Sequence, residues 1–228
     1  THPEHLQQRV VEESADIGIA FDGDGDRLVV SNAKGELLDG DHLIYVITQN
    51  RLFREAMHGG VVGTVMSNLG LERALKELSV PFLRAQVGDR HIMEALLERQ
   101  WVLGGEPSGH ILALDLCSTG DAIMAGLQVL LAVKDADVSL KEVASGLVKV
   151  PQVLVNVVLN SPAEISRHPD MLEATASYEH DLANRGRILV RPSGTEPLLR
   201  IMVEGEDESE VTRIADDLAK HAKSIQAA

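Results

Sequence analysis

One cysteine, Cys117, stands among 228 residues, so no disulfide can close within the chain and a reducing, cytosolic setting is expected. Alone, that residue reads as a small buried hydrophobe. Basic residues are also scarce, with 21 Lys and Arg against 35 Asp and Glu and a net charge of −14. That balance argues against nucleic acid or an anionic membrane as the main partner, because both are held by a basic footprint. An anionic ligand must instead meet a local cluster of cations. Long apolar runs are missing too: the densest, Leu127 to Val133, falls well short of the roughly 18 to 20 residues that span a bilayer. No signal-peptide pattern, internal repeat or low-complexity tract is visible. The chain opens on Thr1 rather than Met and reaches a buried-pattern strand within about twenty residues, which is expected of a piece of something longer.

What the chain does have is Asp22-Gly23-Asp24-Gly25-Asp26-Arg27, set between the apolar runs Ile17–Phe21 and Leu28–Val30. Side chains two apart in an extended segment share a face, so three carboxylates converge there. Three like charges at that spacing repel unless they titrate or a divalent cation holds them. An acidic turn between two strands is the plainer alternative. An EF-hand would need Gly at the sixth position and Glu at the twelfth, where this loop has Arg27 and Ala33. Hard oxygen ligands favour Mg²⁺ over zinc or copper, and Arg27 suggests that an anion completes the site.

The remaining chain alternates strand and helix from a helix starting near Asp41 to one beginning at Thr119 or Asp121. The β-α-β order predicts a mixed, mostly parallel α/β domain, in which ligands gather at loops leaving the strands. Leu43, Ile44, Ile47 and Leu52 are expected on one inner helix face, and Ile92, Met93, Leu96 and Leu97 on another. Ser67 is a candidate helix cap, Asp89 another, and Ser161 to Glu164 reads as a capping box. Beyond Pro151, the alternation of Val153, Val155, Val157 and Leu159 predicts a strand with one core face. A smaller C-terminal domain follows, closed by a helix whose inner stripe is Val211, Ile214, Ala215, Leu218, Ala222 and Ile225. The expected division is 1–36, 37–150 and 151–228.

Two further loops carry polar groups suited to ligands. In Gly104-Gly105-Glu106-Pro107-Ser108-Gly109-His110 the glycines let backbone approach a ligand, while the Glu106 carboxylate and Ser108 hydroxyl can bond neighbouring hydroxyl groups. A glycine-rich turn accounts for the same letters. His110, near-neutral in its ordinary pKa, is a candidate proton carrier or a structural histidine. In Arg191-Pro192-Ser193-Gly194-Thr195-Glu196-Pro197, a guanidinium, two hydroxyls and backbone N–H groups could cradle a phosphate, with Arg200 either adding charge or covering the sheet. A hairpin turn would also suit these residues.

Taken together, D-G-D-G-D-R, G-E-P-S-G and R-P-S-G-T-E-P, in this order, resemble the loops of the α-D-phosphohexomutases, enzymes that move a phosphate between positions 1 and 6 of a sugar. V-G-D-R at 87–90, S-T-G-D-A at 118–122 and G-T-V-M-S-N-L-G at 63–70 are most similar to the branch acting on amino-sugar phosphates. Pro107 departs from that branch and leaves mannose and glucose phosphates as alternatives.

The resemblance implies Mg²⁺ on Asp22, Asp24 and Asp26, catalytic roles for Arg27 and His110, sugar binding by Glu106 and Ser108, and phosphate binding by Arg191, Ser193, Gly194 and Thr195. It implies a C-terminal domain of four strands and two helices, similar to the TATA-box-binding protein. The transferred phosphate comes from a phosphoserine loop, and T-A-S-H-N-P is absent from these residues. In the family that loop lies in an N-terminal domain. The expected partners are therefore a sugar phosphate and that missing domain, with neither nucleic acid nor membrane; a homodimer is an assembly the resemblance allows. The 228 residues alone are expected to lack mutase activity. A hydrolase using Asp22 as nucleophile and a non-catalytic sugar-phosphate binding module are the readings from other classes.

Overall fold

The computed structural model describes residues 3–194 and 196–227. They form two compact units, Thr1–Val148 and Lys149–Ala228. In the first, helix α1 (Glu4–Glu12) precedes an antiparallel sheet β1 (Ile17–Phe21), β2 (Leu28–Asn32) and β3 (Leu37–Leu38). Gly18 lets α1 lie against this sheet: a Cβ there would sit 2.2 Å from a Val10 methyl.

Helix α2 (Gly40–Phe53) begins two residues after β3, with the Asp39 carboxylate accepting from the His42 N–H. The following strands β4 (Val61–Thr64), β5 (Phe82–Ala85), β6 (Leu103–Gly105) and β7 (Ile111–Ala113) form a sheet of order β5-β4-β6-β7. The pairs β4–β5 and β4–β6 are parallel, while β6 and β7 form an antiparallel hairpin. Between them run α3 (Leu69–Glu77) and α4 (Asp89–Arg99), and α5 (Ala122–Ala136) follows β7. The mixed, mostly parallel α/β reading is borne out.

Helical spacing fixes the core. Leu43, Ile44 and Ile47 of α2 are buried with Leu71 and Leu75 of α3 and Val129 of α5. Full burial of such a side chain contributes roughly 1.5–3 kcal/mol. Leu52 and Leu97, expected on inner faces, are exposed instead. Each lies in the last turns of its helix, where the chain leaves the packed layer. Asn68, rather than Ser67, caps α3 by accepting from the Gly70 N–H. Ser67 accepts from the Thr64 N–H, because its side chain turns back toward β4.

In the second unit, β8 (Gln152–Val158), β9 (Gly186–Pro192) and β10 (Leu198–Gly205) form an antiparallel sheet of order β8-β10-β9. This sheet has three strands among the described residues, where the resemblance implied four. Only three stretches here have a strand pattern, and helices occupy the rest: α7 (Pro162–Ile165), α8 (Pro169–Leu182) and α9 (Glu208–Ala227), after the short α6 (Leu140–Val143) of the first unit. Val157 and Leu159 point into the core against Ile214 and Leu218 of α9, while Leu154 and Val158 are exposed. Ser161 makes no side-chain cap. The capping box lies instead at Ser139–Glu142, where Glu142 reaches back to the Ser139 N–H.

Candidate metal and sugar-phosphate site

The acidic loop leaves β1 and re-enters the sheet at β2 within six residues. Its turn is closed by the Asp22 N–H donating to the Arg27 carbonyl at 3.2 Å and the Gly25 N–H donating to the Asp22 carbonyl at 3.3 Å. Gly25 has φ +73°, the left-handed conformation that glycine adopts without strain. The turn gathers Asp22, Asp24 and Asp26 so that one oxygen of each lies within 4.8 Å of the others.

Arg27 sits at the edge of this cluster. Its backbone N–H donates to Asp22 Oδ1 at 3.1 Å, and its guanidinium is 3.9 Å from Asp22 Oδ2. Desolvation works to raise the Asp22 pKa. It is outweighed by the Arg27 N–H, by hydrogen bonds shared with Asp26 and Asp24, and by the Arg27 charge, which hold the carboxyl below its ordinary value. Asp26 Oδ1 is buried without a hydrogen-bond donor. A buried carboxylate oxygen left unpaired is costly, and beside two other carboxylates it fits a hard divalent cation such as Mg²⁺.

The second loop is the β6–β7 hairpin turn, and it is attached directly to the first. Arg27 and His110 form an isolated antiparallel bridge, and the Leu28 N–H donates to the Gly109 carbonyl at 3.2 Å. His110 Nδ1 lies 3.1 Å from Asp26 Oδ2. The His110 side chain is 6% exposed, and its Nε2 is buried without a partner. A Cβ at Gly109 (φ +91°) would come 2.1 Å from the Leu28 carbonyl oxygen, so only glycine permits this close approach.

Glu106 and Ser108 lie at the tip of the same turn. Glu106 Oε1 accepts from the Gly88 N–H at 3.0 Å, and the Ser108 hydroxyl lies 3.4 Å from Glu106 Oε2. The Val87–Arg90 junction is therefore tied to the hairpin. Asp89, expected as a cap, is the first helical residue; Gly88 with φ +119° holds the cap position, and Asp89 Oδ1 accepts from the Arg90 N–H.

Sequence reasoning did not anticipate Gly40 and Gly120. A Cβ at Gly40 would lie 1.9 Å from the Glu106 carbonyl oxygen, and one at Gly120 would lie 2.3 Å from the His110 ring. Neither signal is visible in one sequence, because the close approach comes from distant segments.

In the second unit, Arg191 lies near the end of β9, and Ser193 and Gly194 lie in the turn to β10; Thr195 lies outside the described residues. The Ser193 N–H donates to the Leu198 carbonyl at 2.8 Å, so that amide closes the hairpin instead of facing outward as a nest would need. Arg200 stands opposite Arg191 in the β9–β10 register. The Nε atoms of both are buried without an acceptor. Burial lowers the Arg191 pKa, and the Arg200 charge lowers it further.

Residues 39–150 match the family model "Phosphoglucomutase/phosphomannomutase, alpha/beta/alpha domain III", and residues 154–221 match the C-terminal domain of the same family. The chain belongs to the phosphoglucomutase/phosphomannomutase family. Among individual relatives, phosphoglucosamine mutase from Hahella chejuensis is 50% identical over 220 residues, covering 96% of this chain and 49% of the relative. The enzyme of that name from Ectopseudomonas mendocina is 53% identical, with the same coverage. The chain thus spans about half the length of the curated relatives it matches.

Among solved structures, a phosphoglucomutase/phosphomannomutase family protein from Burkholderia thailandensis superposes with a TM-score of 0.78 at 26% identity, covering 97% of this chain and 51% of that one. The N-acetylphosphoglucosamine mutase of Aspergillus fumigatus shares the fold, with a TM-score of 0.80 at 20% identity over 99% of this chain and 52% of that one. No helix among the described residues is long and apolar enough to cross a membrane.

Proposed function

We propose that this chain is the C-terminal part of a phosphoglucosamine mutase, which interconverts glucosamine 6-phosphate and glucosamine 1-phosphate in amino-sugar metabolism. The observation that carries the reading is identity of about half over nearly the whole chain to proteins of that name, several of which it matches over 95% or more of its own length. Residues 1–36 are then the end of a preceding domain and 37–150 and 151–228 the two that follow. The phosphoserine that exchanges the phosphoryl group would be supplied by the N-terminal part.

In this reading Asp22, Asp24 and Asp26 hold Mg²⁺, which when bound offsets negative charge on the transferring phosphoryl oxygens. Arg27 places a second positive charge at the edge of the same cluster. Glu106 and Ser108 accept from and donate to sugar hydroxyls, with the Gly88 N–H fixing the Glu106 carboxylate. Arg191, Ser193, Gly194 and Thr195 receive the phosphate that does not react, and Arg200 joins them as a second cation beside Arg191. His110, bonded to Asp26 and shielded from solvent, orients that carboxylate; this gives it a positioning role alongside the proton-carrier role its residue type suggests. Metal and sugar phosphate in the A. fumigatus relative, solved with GlcNAc-6P and magnesium, support the same pairing of ligands in this fold.

The test is a coupled assay for glucosamine 1-phosphate with the longer gene product and with the 228-residue chain. Mg²⁺-dependent turnover by the longer protein and none by the chain alone is expected. Steady turnover by the chain alone, or a longer protein active on mannose or glucose phosphates but not on glucosamine phosphate, would overturn the assignment.

A further inference from the structure

Helical spacing sets Arg51 in line with Ile44 and Ile47 on the inner face of α2, and it is buried there with 6% of its surface exposed. A charge at such a position calls for an explanation, because packed apolar side chains in place of a buried ion pair are often as stabilising or more so. Its guanidinium grips two places. Nε and Nη2 both donate to Gln128 Oε1, at 3.2 and 2.8 Å, and Nη2 also donates to Asp115 Oδ1 at 3.1 Å. The cluster is not saturated: Arg51 Nη1 and Gln128 Nε2 are buried donors without an acceptor. Unpaired buried donors are destabilising, so stability alone does not account for this arrangement.

Asp115 lies two residues past β7, and Gln128 lies within α5, so Arg51 ties both ends of the segment 115–128 to α2. The residues between those ends touch the acidic loop and the hairpin. Asp121 caps α5 by accepting from the Met124 N–H at 2.9 Å, and the Ala122 N–H donates to the Gly25 carbonyl at 3.0 Å. The backbone at Gly120 lies on the His110 ring, since a Cβ there would be 2.3 Å from the ring's Cε1 and 2.5 Å from its Nε2. His110 in turn contacts Asp26. The S-T-G-D-A run at 118–122 therefore supports the carboxylate turn twice, once through Gly25 and once through His110.

We infer that Arg51 is a positioning residue for the acidic loop: by gripping Asp115 and Gln128 it holds the intervening segment where Ala122 anchors Gly25 and Gly120 packs on His110. A guanidinium suits this task because its planar fork is rigid and holds two acceptors at once. With the grip released, Gly25 and His110 lose a fixed support, and the convergence of Asp22, Asp24 and Asp26 loosens with them. The link to Mg²⁺ rests on the function proposed above; the link to the loop does not.

Arg51→Met and Asp115→Ala in the longer gene product test this role. Both are expected to weaken Mg²⁺ in isothermal titration by about tenfold or more, as loss of support for metal ligands does. Both should also speed hydrogen exchange of the Ala122 amide by at least about tenfold, as loss of local protection does. Asp115 is partly exposed, so its variant still reports if Arg51→Met does not fold. Leu75→Ala on α3 is the control: a core cavity lowers the melting temperature, while Mg²⁺ affinity and Ala122 exchange, measured well below melting, stay as in the unaltered protein. Unchanged Ala122 exchange in the Arg51 and Asp115 variants, or unchanged Mg²⁺ affinity in a protein that binds the ion, would overturn the positioning role. So would an equal loss of affinity in Leu75→Ala, which would leave Arg51 a matter of stability. If the unaltered longer protein takes up no Mg²⁺, the metal reading fails and Ala122 exchange alone decides the role of Arg51, so the two fail separately.

Discussion

Arg200 faces Arg191 across the β9–β10 ladder, two guanidinium groups on adjacent strands with the Nε of each buried and without an acceptor. Like charges directly opposite in a sheet destabilise it by an amount on the order of 0.2–1 kcal/mol. Glu196 meets Arg200 only at an outer guanidinium nitrogen, 3.2 Å away, and an anion between the two arginines would remove the rest of that cost. Arg200→Gln should therefore raise the melting temperature of the ligand-free protein slightly at low salt and, if the proposed function holds, shrink the upward shift expected from millimolar sugar phosphate in the longer protein. A variant that keeps the full ligand-induced shift would remove Arg200 from the proposed phosphate site.

Asp24→Ala tests the acidic loop. The three carboxylates contribute one oxygen each within 4.8 Å, so loss of one should weaken Mg²⁺ in isothermal titration by at least about tenfold, within the range expected for a ligand or its immediate support. Unchanged affinity would make the loop an acidic turn. The comparison is best made on the longer protein.

Gly109→Ala probes the junction of the two loops. Its Cβ would meet the Leu28 carbonyl at 2.1 Å, with φ already positive, so overpacking and backbone strain act together. A loss of about 1–3 kcal/mol or more is expected by urea denaturation. Gly194→Ala, whose Cβ meets nothing within 4 Å, should cost far less and serves as the control.

Asp135 gives the pH prediction. Hydrogen bonds from Arg54 and Asn50, with desolvation opposing and the Arg54 and Lys134 charges assisting, hold its pKa at about 2, against the ordinary 3.8. A depressed folded pKa stabilises the protein above the unfolded value, and the contribution disappears as pH falls from about 4 toward 2. The pair is close to solvent, so the effect is modest. Asp135→Asn should flatten the acid limb of stability between those pH values, as followed by circular dichroism. An unchanged limb would mean that the Arg54 contact contributes nothing in solution.

Much of this was legible in the sequence because its signals are local. Helical spacing located the buried Leu43, Ile44 and Ile47, and strict alternation located the core face of β8. The D-G-D-G-D run gave its own convergence, since residues two apart share a face. What escaped depends on segments far apart in the chain. The Asp26–His110 contact joins positions 84 residues apart, and Glu106 finds its donor in Gly88 at a helix start. The Ser193 amide looked available for an anion until the hairpin register assigned it to Leu198. Helix ends were misread where more than one residue could cap, as at Ser67 and Asn68, because side-chain direction there is set by the neighbouring strand.

The bridge between Arg27 and His110 has a consequence for how the protein can change. The acidic loop and the hairpin turn share backbone hydrogen bonds and a carboxylate–imidazole contact, so neither can be lengthened, shortened or tilted on its own. A mutation that widens the hairpin would drag Asp26 with it and disturb the cluster of three carboxylates. Change in this region is therefore expected to fall on side chains at the hairpin tip, such as Pro107 and Ser108, while the length of both loops stays frozen.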